Sequence, residues 1–192
     1  RLSALDEKNL VQRLQSLQQA WENEQPQKHE YFRGEVFAMV GGRRTHIRVI
    51  MNLGRRLNER LDGSPCQAFA ESAKVQIGDD TILYPDIFVT CDQADLATDM
   101  IFRSPTLVIE VLSPSTQAYD RSQKFALYRR LASLQEYILV DPDTRRIEAF
   151  RRNAEDQWVF HDMSDGEAMA VPCLGLEVPL AQVFDGIEPP TG

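Results

Sequence analysis

The run Leu107-Val108-Ile109-Glu110-Val111-Leu112 is the segment that most limits what this chain can become. Side chains alternate along a strand, so Leu107, Ile109 and Val111 line one face and Val108, Glu110 and Leu112 the other. Both faces are apolar, the pattern of a central strand covered on each side, and this asks for a sheet held between other layers. Glu110 is the exception. An ionised carboxylate in such a run is costly unless it is paired or bound to a metal, so the segment predicts a buried site as well as a fold.

Two neighbours in sequence suggest what compensates that charge. Upstream, Tyr84-Pro85-Asp86-Ile87-Phe88-Val89 places Asp86 at the opening of a strand; downstream, Asp120-Arg121-Ser122-Gln123-Lys124 brings a lysine one helical turn after an acid. Two converging carboxylates repel by a few kcal/mol at an effective dielectric near ~20. A divalent cation reverses that sign, and oxygen-only ligands favour magnesium, manganese or calcium over zinc. With Lys124 beside the reacting group, the set points to metal-dependent phosphodiester chemistry. Each residue also has a plainer reading. Asp86 could be a strand-entry cap and Lys124 a solvated helix lysine, while Lys74, at the start of another strand, is a rival for the lysine role. His46 shares a helical side with Ile50 and Leu53, where a histidine is more often a hydrogen-bonded core residue than a ligand.

The elements around these residues follow from periodicity. Leu10, Leu14, Leu17 and Trp21 predict an amphipathic helix over residues 3–24, ended by Pro26. Strands are expected at 29–33 and 35–40, with Glu35 sharing a face with Phe37 and Met39 and so able to point inward. A second helix over 45–61 has Ile47, Ile50, Leu53, Leu57 and Leu61 as its apolar side. Strands follow at 67–70, 74–77, 82–84, 86–91 and 106–112, with a polar excursion at 93–102. Asp120 and Gln123 have capping-box spacing for a helix over 120–131. A hairpin at 136–140 and 146–151 and a short helix near 180–184 close the chain. The organisation expected is an accessory or interface helix over residues 1–28 and one α/β domain over 29–192, three layers built round a central mixed sheet flanked by helices.

Composition narrows the partners. Lysine and arginine total 21 against 29 acids, a net charge of −8, which argues against a general nucleic-acid coating protein. Local patches remain open: Arg43, Arg44, Arg48, Arg55, Arg56 and Arg60 crowd one helix, and Arg129, Arg130, Arg145, Arg146, Arg151 and Arg152 come in pairs. Cys66, Cys91 and Cys173 show neither zinc-ligand spacing nor a disulfide framework, so they read as small core hydrophobes. No apolar stretch has the length of a membrane span, and the cytoplasm is the expected compartment.

Taken together, Tyr84-Pro85-Asp86-Ile87, the block Pro105 to Thr116 containing Ile109-Glu110-Val111-Leu112-Ser113-Pro114, Tyr119-Asp120-Arg121 with Lys124 and Tyr128, and Glu136-Tyr137-Ile138-Leu139-Val140 resemble the Uma-two family of restriction endonuclease-like proteins, within the PD-(D/E)XK nuclease superfamily. The resemblance covers roughly residues 30–152. It implies a restriction-endonuclease-like fold in which Asp86 and Glu110 hold magnesium or manganese, the ion binding the scissile phosphate and activating a water. The superfamily's usual lysine position, two residues after the second acid, holds Leu112 here. The resemblance moves that role to Lys124, which would orient the water or steady charge on the phosphate. Glu35 resembles an acid supplied from an earlier element that completes the ion's coordination or acts as general base. His46 matches a histidine frequent in the family.

The expected function is therefore a metal-dependent endonuclease acting on DNA. The competing class is a nuclease-fold protein with a binding or regulatory role and no cleavage, which the acidic charge favours. A third reading is a hydrolase of a non-nucleic phosphate. Duplex cutting generally needs two sites, which brings in a symmetric homodimer, with the Leu10 to Trp21 stripe serving either as its interface or as packing on its own domain.

Overall fold

A computed structural model describes residues 29–32, 35–38 and 42–188 of the chain. The strands among them are β1 (His29–Phe32), β2 (Glu35–Ala38), β3 (Gln67–Ala70), β4 (Lys74–Ile77), β5 (Thr81–Leu83), β6 (Ile87–Thr90), β7 (Ile101–Phe102), β8 (Pro105–Val111), β9 (Glu136–Asp141), β10 (Arg146–Arg152), β11 (Trp158–Asp162), β12 (Ala168–Val171) and β13 (Leu176–Pro179). The helices are α1 (Arg44–Leu61), α2 (Gln93–Leu96), a composite α3 and α4 (Leu180–Val183). α3 is built from Gln117–Tyr119, a π-helical turn Asp120–Lys124, and Phe125–Tyr128. The expected helix over residues 3–24 lies outside the described residues.

The fold is mixed α/β, with the strands divided among three sheets rather than gathered in one. The largest has the order β11-β10-β9-β8-β6-β3, antiparallel except where β8 runs parallel to β9. A second, β2-β1-β5-β4-β7, is antiparallel except between β4 and β7, and β12 pairs with β13 alone.

β8 occupies the interior of the largest sheet and is buried on both faces, as its sequence requires. Leu107, Ile109 and Val111 join Ile87, Val89, Ile138 and Val140 in one core, covered by Val49, Ile50, Leu53 and Leu57 of α1. Val108 and Leu112 face a second core with Phe88, Tyr137, Leu139, Phe125, Leu127 and Tyr128. The alternation of one strand thus feeds two cores, and Glu110 falls on the α3 side.

α1 is set by its buried residues Val49, Ile50, Leu53, Leu57 and Leu61, and it stops at Asp62-Gly63, where Gly63 takes a φ of +73°. Ile47 does not belong to that stripe. It is 41% exposed, and Val49 takes the buried place instead.

α3 starts a turn earlier than capping-box spacing suggested. Gln117 N–H donates to the Ser113 carbonyl and Asp120 N–H to that of Thr116, so Asp120 lies inside the helix, buried, instead of capping it. The π-helical turn then admits one extra residue, and the Tyr137 hydroxyl donates to the Asp120 carbonyl at 2.9 Å.

The cysteine reading is corrected as well. Cys66 and Cys91 form a disulfide, because each lies one residue beyond the antiparallel pair Gln67↔Thr90 that joins β3 to β6. Sequence spacing does not reveal such a bond until the strand register is known. Cys173 stays free, with burial pushing its thiol pKa up.

Most of the arginines are engaged. Arg43 pairs with Asp143, Arg48 with Asp185, Arg55 and Arg56 with Glu59, Arg130 with Asp80, Arg146 with Asp162 and Arg151 with Glu136. Arg129 and Arg145 lie over the rings of Phe125 and Phe184.

Candidate active site

The register of two antiparallel strands creates the site. β6 pairs with β8 through Ile87↔Ile109, so one step further along places Asp86 opposite Glu110 at the strand ends. The two residues clasp each other through the backbone: Asp86 N–H donates to Glu110 Oε2 at 3.3 Å, and Val111 N–H donates to Asp86 Oδ2 at 2.7 Å. Asp86 is thereby held toward the sheet, not spent as a cap. His46, from the first turn of α1, brings its Nε2 to 3.3 Å from Asp86 Oδ2.

On the other side of Glu110 stands Lys124. Its Nζ is 3.1 Å from Glu110 Oε1, 3.2 Å from Glu30 Oε1 and 3.8 Å from Asp120 Oδ1, and it donates to the Tyr84 carbonyl at 3.4 Å. The Glu110 contact is a charge pairing without hydrogen-bond direction, since Oε1 is buried with no hydrogen-bond partner. Glu30 sits on β1 and accepts the Tyr84 N–H at 3.1 Å, so the segment just before Asp86 is tied to the same cluster. Three tyrosines surround it. The Tyr128 hydroxyl is buried without a partner, and burial raises the pKa values of Tyr119, Tyr128 and Tyr137, reinforced by the nearby acids.

Electrostatics in the cluster are lopsided. Burial raises Glu110 well above the usual carboxyl range; Lys124 opposes that shift, while Asp86, Asp120 and Glu30 add to it. Asp120 is raised for the same leading reason. For Lys124, burial works against the ammonium, but Glu110, Glu30, Asp120 and Asp86 outweigh it and hold the charged form firmly. His46 is raised too: burial lowers it, and the hydrogen bond and charge of Asp86 prevail. Four carboxylates share one lysine and one histidine in a dry setting, an excess of negative charge that attracts cations.

The donor set can be tested against a divalent ion. Among the described residues, no three His, Cys, Asp or Glu side chains stand in the arrangement of a complete cage. Asp86 and Glu110 nevertheless bring two carboxylates to adjoining strand ends, with Glu110 Oε2 turned to Asp86 and Oε1 to Lys124. A hard ion such as magnesium is commonly held by one or two carboxylates and completes its shell with water and substrate phosphate. The residues fit such an ion.

The structure therefore brings together Asp86, Glu110, Lys124 and His46 from the set that sequence singled out. Lys74 lies in β4, buried, while the lysine at Glu110 is Lys124. Glu35 lies in β2 opposite Phe32, and its side chain lies outside the described residues. Two members were not found from sequence, Glu30 and Asp120. Asp120 could have been, since it precedes Lys124 by four residues on one helix side. Glu30 carries no local signal, because its role depends on β1 pairing with β5, four strands later in sequence.

Comparison with known proteins gives the family and the fold. The chain matches, over residues 14–181, the model of the Uma2 family described as "Putative restriction endonuclease". It is 34% identical to the uncharacterized protein slr1290 of Synechocystis over 87% of this chain and 88% of that protein. A second Synechocystis protein, sll1609, is 29% identical over 74% of this chain and 82% of its own length. The crystal structure of "a putative nuclease belonging to DUF820" from Anabaena variabilis superposes with a TM-score of 0.72 at 18% identity, covering 86% of this chain and 94% of that one. With most of its length inside the family model, the chain belongs to the Uma2 restriction endonuclease-like family.

Proposed function

We propose that the protein is a metal-dependent nuclease of the three-layer restriction-endonuclease type that hydrolyses phosphodiester bonds in DNA. The observation that carries this reading is the facing pair Asp86 and Glu110 with Lys124 Nζ 3.1 Å from Glu110 Oε1. Asp86 and Glu110 would hold magnesium or manganese, with Glu35 completing the set or acting as general base. The ion, when bound, supplies Lewis acidity toward the phosphate and lowers the pKa of a water. The chain's own groups do the rest. Lys124 presents a fixed positive charge where negative charge grows on the phosphate. The Val111 N–H and His46 Nε2 hold the Asp86 carboxylate in one orientation. Two copies acting together would cut a duplex.

A second reading, a nuclease-fold protein that binds or regulates without cutting, is favoured by the net charge of −8 and by arginines already committed to ion pairs. The experiment that separates the two is cleavage of supercoiled plasmid and of labelled branched and single-stranded DNA with magnesium or manganese, using wild type, Asp86→Ala and Lys124→Ala. Metal-dependent cleavage lost in both variants supports the nuclease; no cleavage with metal still bound supports the binding protein. The proposal places the protein in the cytoplasm, where a thiol pool would act on the Cys66–Cys91 bond. Thiol counting on protein extracted under alkylation tests that placement: a fully oxidised pair would speak against it.

A further inference from the structure

The two carboxylate oxygens of Glu110 face different neighbours. Its Oε2 turns to Asp86, whose N–H it accepts at 3.3 Å, and its Oε1 turns to Lys124 Nζ at 3.1 Å. On the Lys124 side, Glu30 Oε1 at 3.2 Å and Asp120 Oδ1 at 3.8 Å complete a three-carboxylate surround, with the Tyr84 carbonyl at 3.4 Å. Oxygen ligands of this number are what a second divalent ion would use in a two-metal site, where the ions stand roughly 3.5–4 Å apart on a shared carboxylate. Here an ammonium fills that place. Its neighbours are oxygens throughout, and burial of the whole group leaves no water layer to dilute the charge.

Resting on the metal-site reading above, we propose that Lys124 is the built-in occupant of the second cation position, so that the site takes one divalent ion, on the Asp86 and Glu110 Oε2 side, and excludes another. The charge balance agrees. With all four acids ionised, one ammonium and one divalent ion leave a single negative charge, whereas two divalent ions beside Lys124 would leave the pocket positive. In this arrangement Glu30 and Asp120 serve the lysine and not the ion. Lys124 is held by three carboxylates because it must remain in place without help from substrate. Asp120 and Lys124, four residues apart, lie on one side of the helix and both are buried.

The test counts bound ions rather than turnover. Mn²⁺ is titrated into the full chain by calorimetry and by electron paramagnetic resonance, for wild type, Lys124→Met, Glu30→Gln and Asp86→Asn, with circular dichroism confirming that each folds. One ion is expected in wild type and two in Lys124→Met. Glu30→Gln should keep one ion at an affinity within about threefold of wild type, against the roughly 10- to 100-fold loss expected when a supporting group of the ion itself is removed. Two ions in wild type, one in Lys124→Met, or a loss of tenfold or more in Glu30→Gln would each overturn the proposal. If Lys124→Met alone fails to fold, Lys124→Gln, which keeps a polar side chain among the same three carboxylates, carries the same count. Asp86→Asn separates the two levels: binding lost there, with Lys124→Met still at one ion, keeps the metal site and removes the lysine's role. Absence of any Mn²⁺ binding in wild type removes both.

Discussion

Two buried acid–base centres sit on the same large sheet and are built in opposite ways. Glu136, 2% exposed at the start of β9, has both oxygens satisfied: Arg151 Nε donates to Oε1 at 2.6 Å and the Cys173 N–H to Oε2 at 3.2 Å. Arg151 is satisfied in turn by the Ala170 carbonyl and Met163 Sδ, so the pair locks the β12–β13 hairpin to the sheet. Glu110, 1% exposed on the next strand, has an oxygen without a hydrogen bond and shares one lysine with two other acids. Both are buried, yet only one is balanced. The difference teaches that burial of a charge is compatible with structure or with chemistry, and that satisfaction of its hydrogen bonds tells which.

Activity should break the comparison most sharply. Asp86→Asn and Lys124→Met should lower kcat by at least about 100-fold, while Glu136→Gln should leave kcat per folded molecule close to wild type. Single-turnover cleavage normalised to folded protein reads this, and a matching loss in Glu136→Gln would dissolve the distinction.

Stability should go the other way. Glu136→Gln leaves Arg151 without its counter-charge and should cost about 3 kcal/mol, whereas Glu110→Gln, relieving an excess of negative charge, should stay within about 1 kcal/mol of wild type or gain. Urea denaturation at neutral pH decides, and equal losses would mean that Glu110 is structural after all.

The pH dependence is smaller but directional. Glu110 is raised in the folded state by burial and neighbouring acids, so its stabilising contribution is complete below its unfolded value of about 4.3 and is lost as pH rises through the folded value. Lys124 is raised too, and its contribution is complete below about 10.4 and lost only above its own folded value. Relative to Glu110→Gln, the wild type should therefore weaken as pH climbs from about 4 into the neutral range, while Lys124 stays charged. A difference that remains flat across that range would show that Glu110 is ionised throughout.

The smallest effect concerns His46. A Cβ at Gly42 would fall 2.8 Å from His46 Nδ1, so Gly42→Ala should push the ring from Asp86 and lower kcat by about three- to tenfold at nearly unchanged stability. An unaffected rate would show that the His46 contact with Asp86 does not matter to the reaction.

What sequence revealed and what it hid follow from the range of each interaction. The two-faced run at Leu107–Leu112 announced a central strand because alternation is local, and α1 was legible from the spacing of Ile50, Leu53, Leu57 and Leu61. The pairing of Asp86 with Glu110 was suspected because buried charge has few remedies. The division into several sheets, the Cys66–Cys91 bond and the arrival of Glu30 all depend on which distant strands align, and no window of sequence carries that. Asp120 was misplaced for a different reason: capping-box spacing is common, and the Ser113–Thr116 turn had already begun the helix.

The π-helical turn at Asp120–Lys124 also makes the helix sensitive to bookkeeping by single codons. Such a turn is an α-helix carrying one surplus residue, so deleting one residue inside it would restore ordinary winding and leave the helix intact. What lies beyond the deletion would keep its facing, while the spacing between Asp120 and Lys124, whose side chains stand 3.8 Å apart, would shrink from four residues to three. A lineage could thus lose or regain this turn by three nucleotides while keeping a folded, abundant protein, altering only the reach between that acid and the lysine.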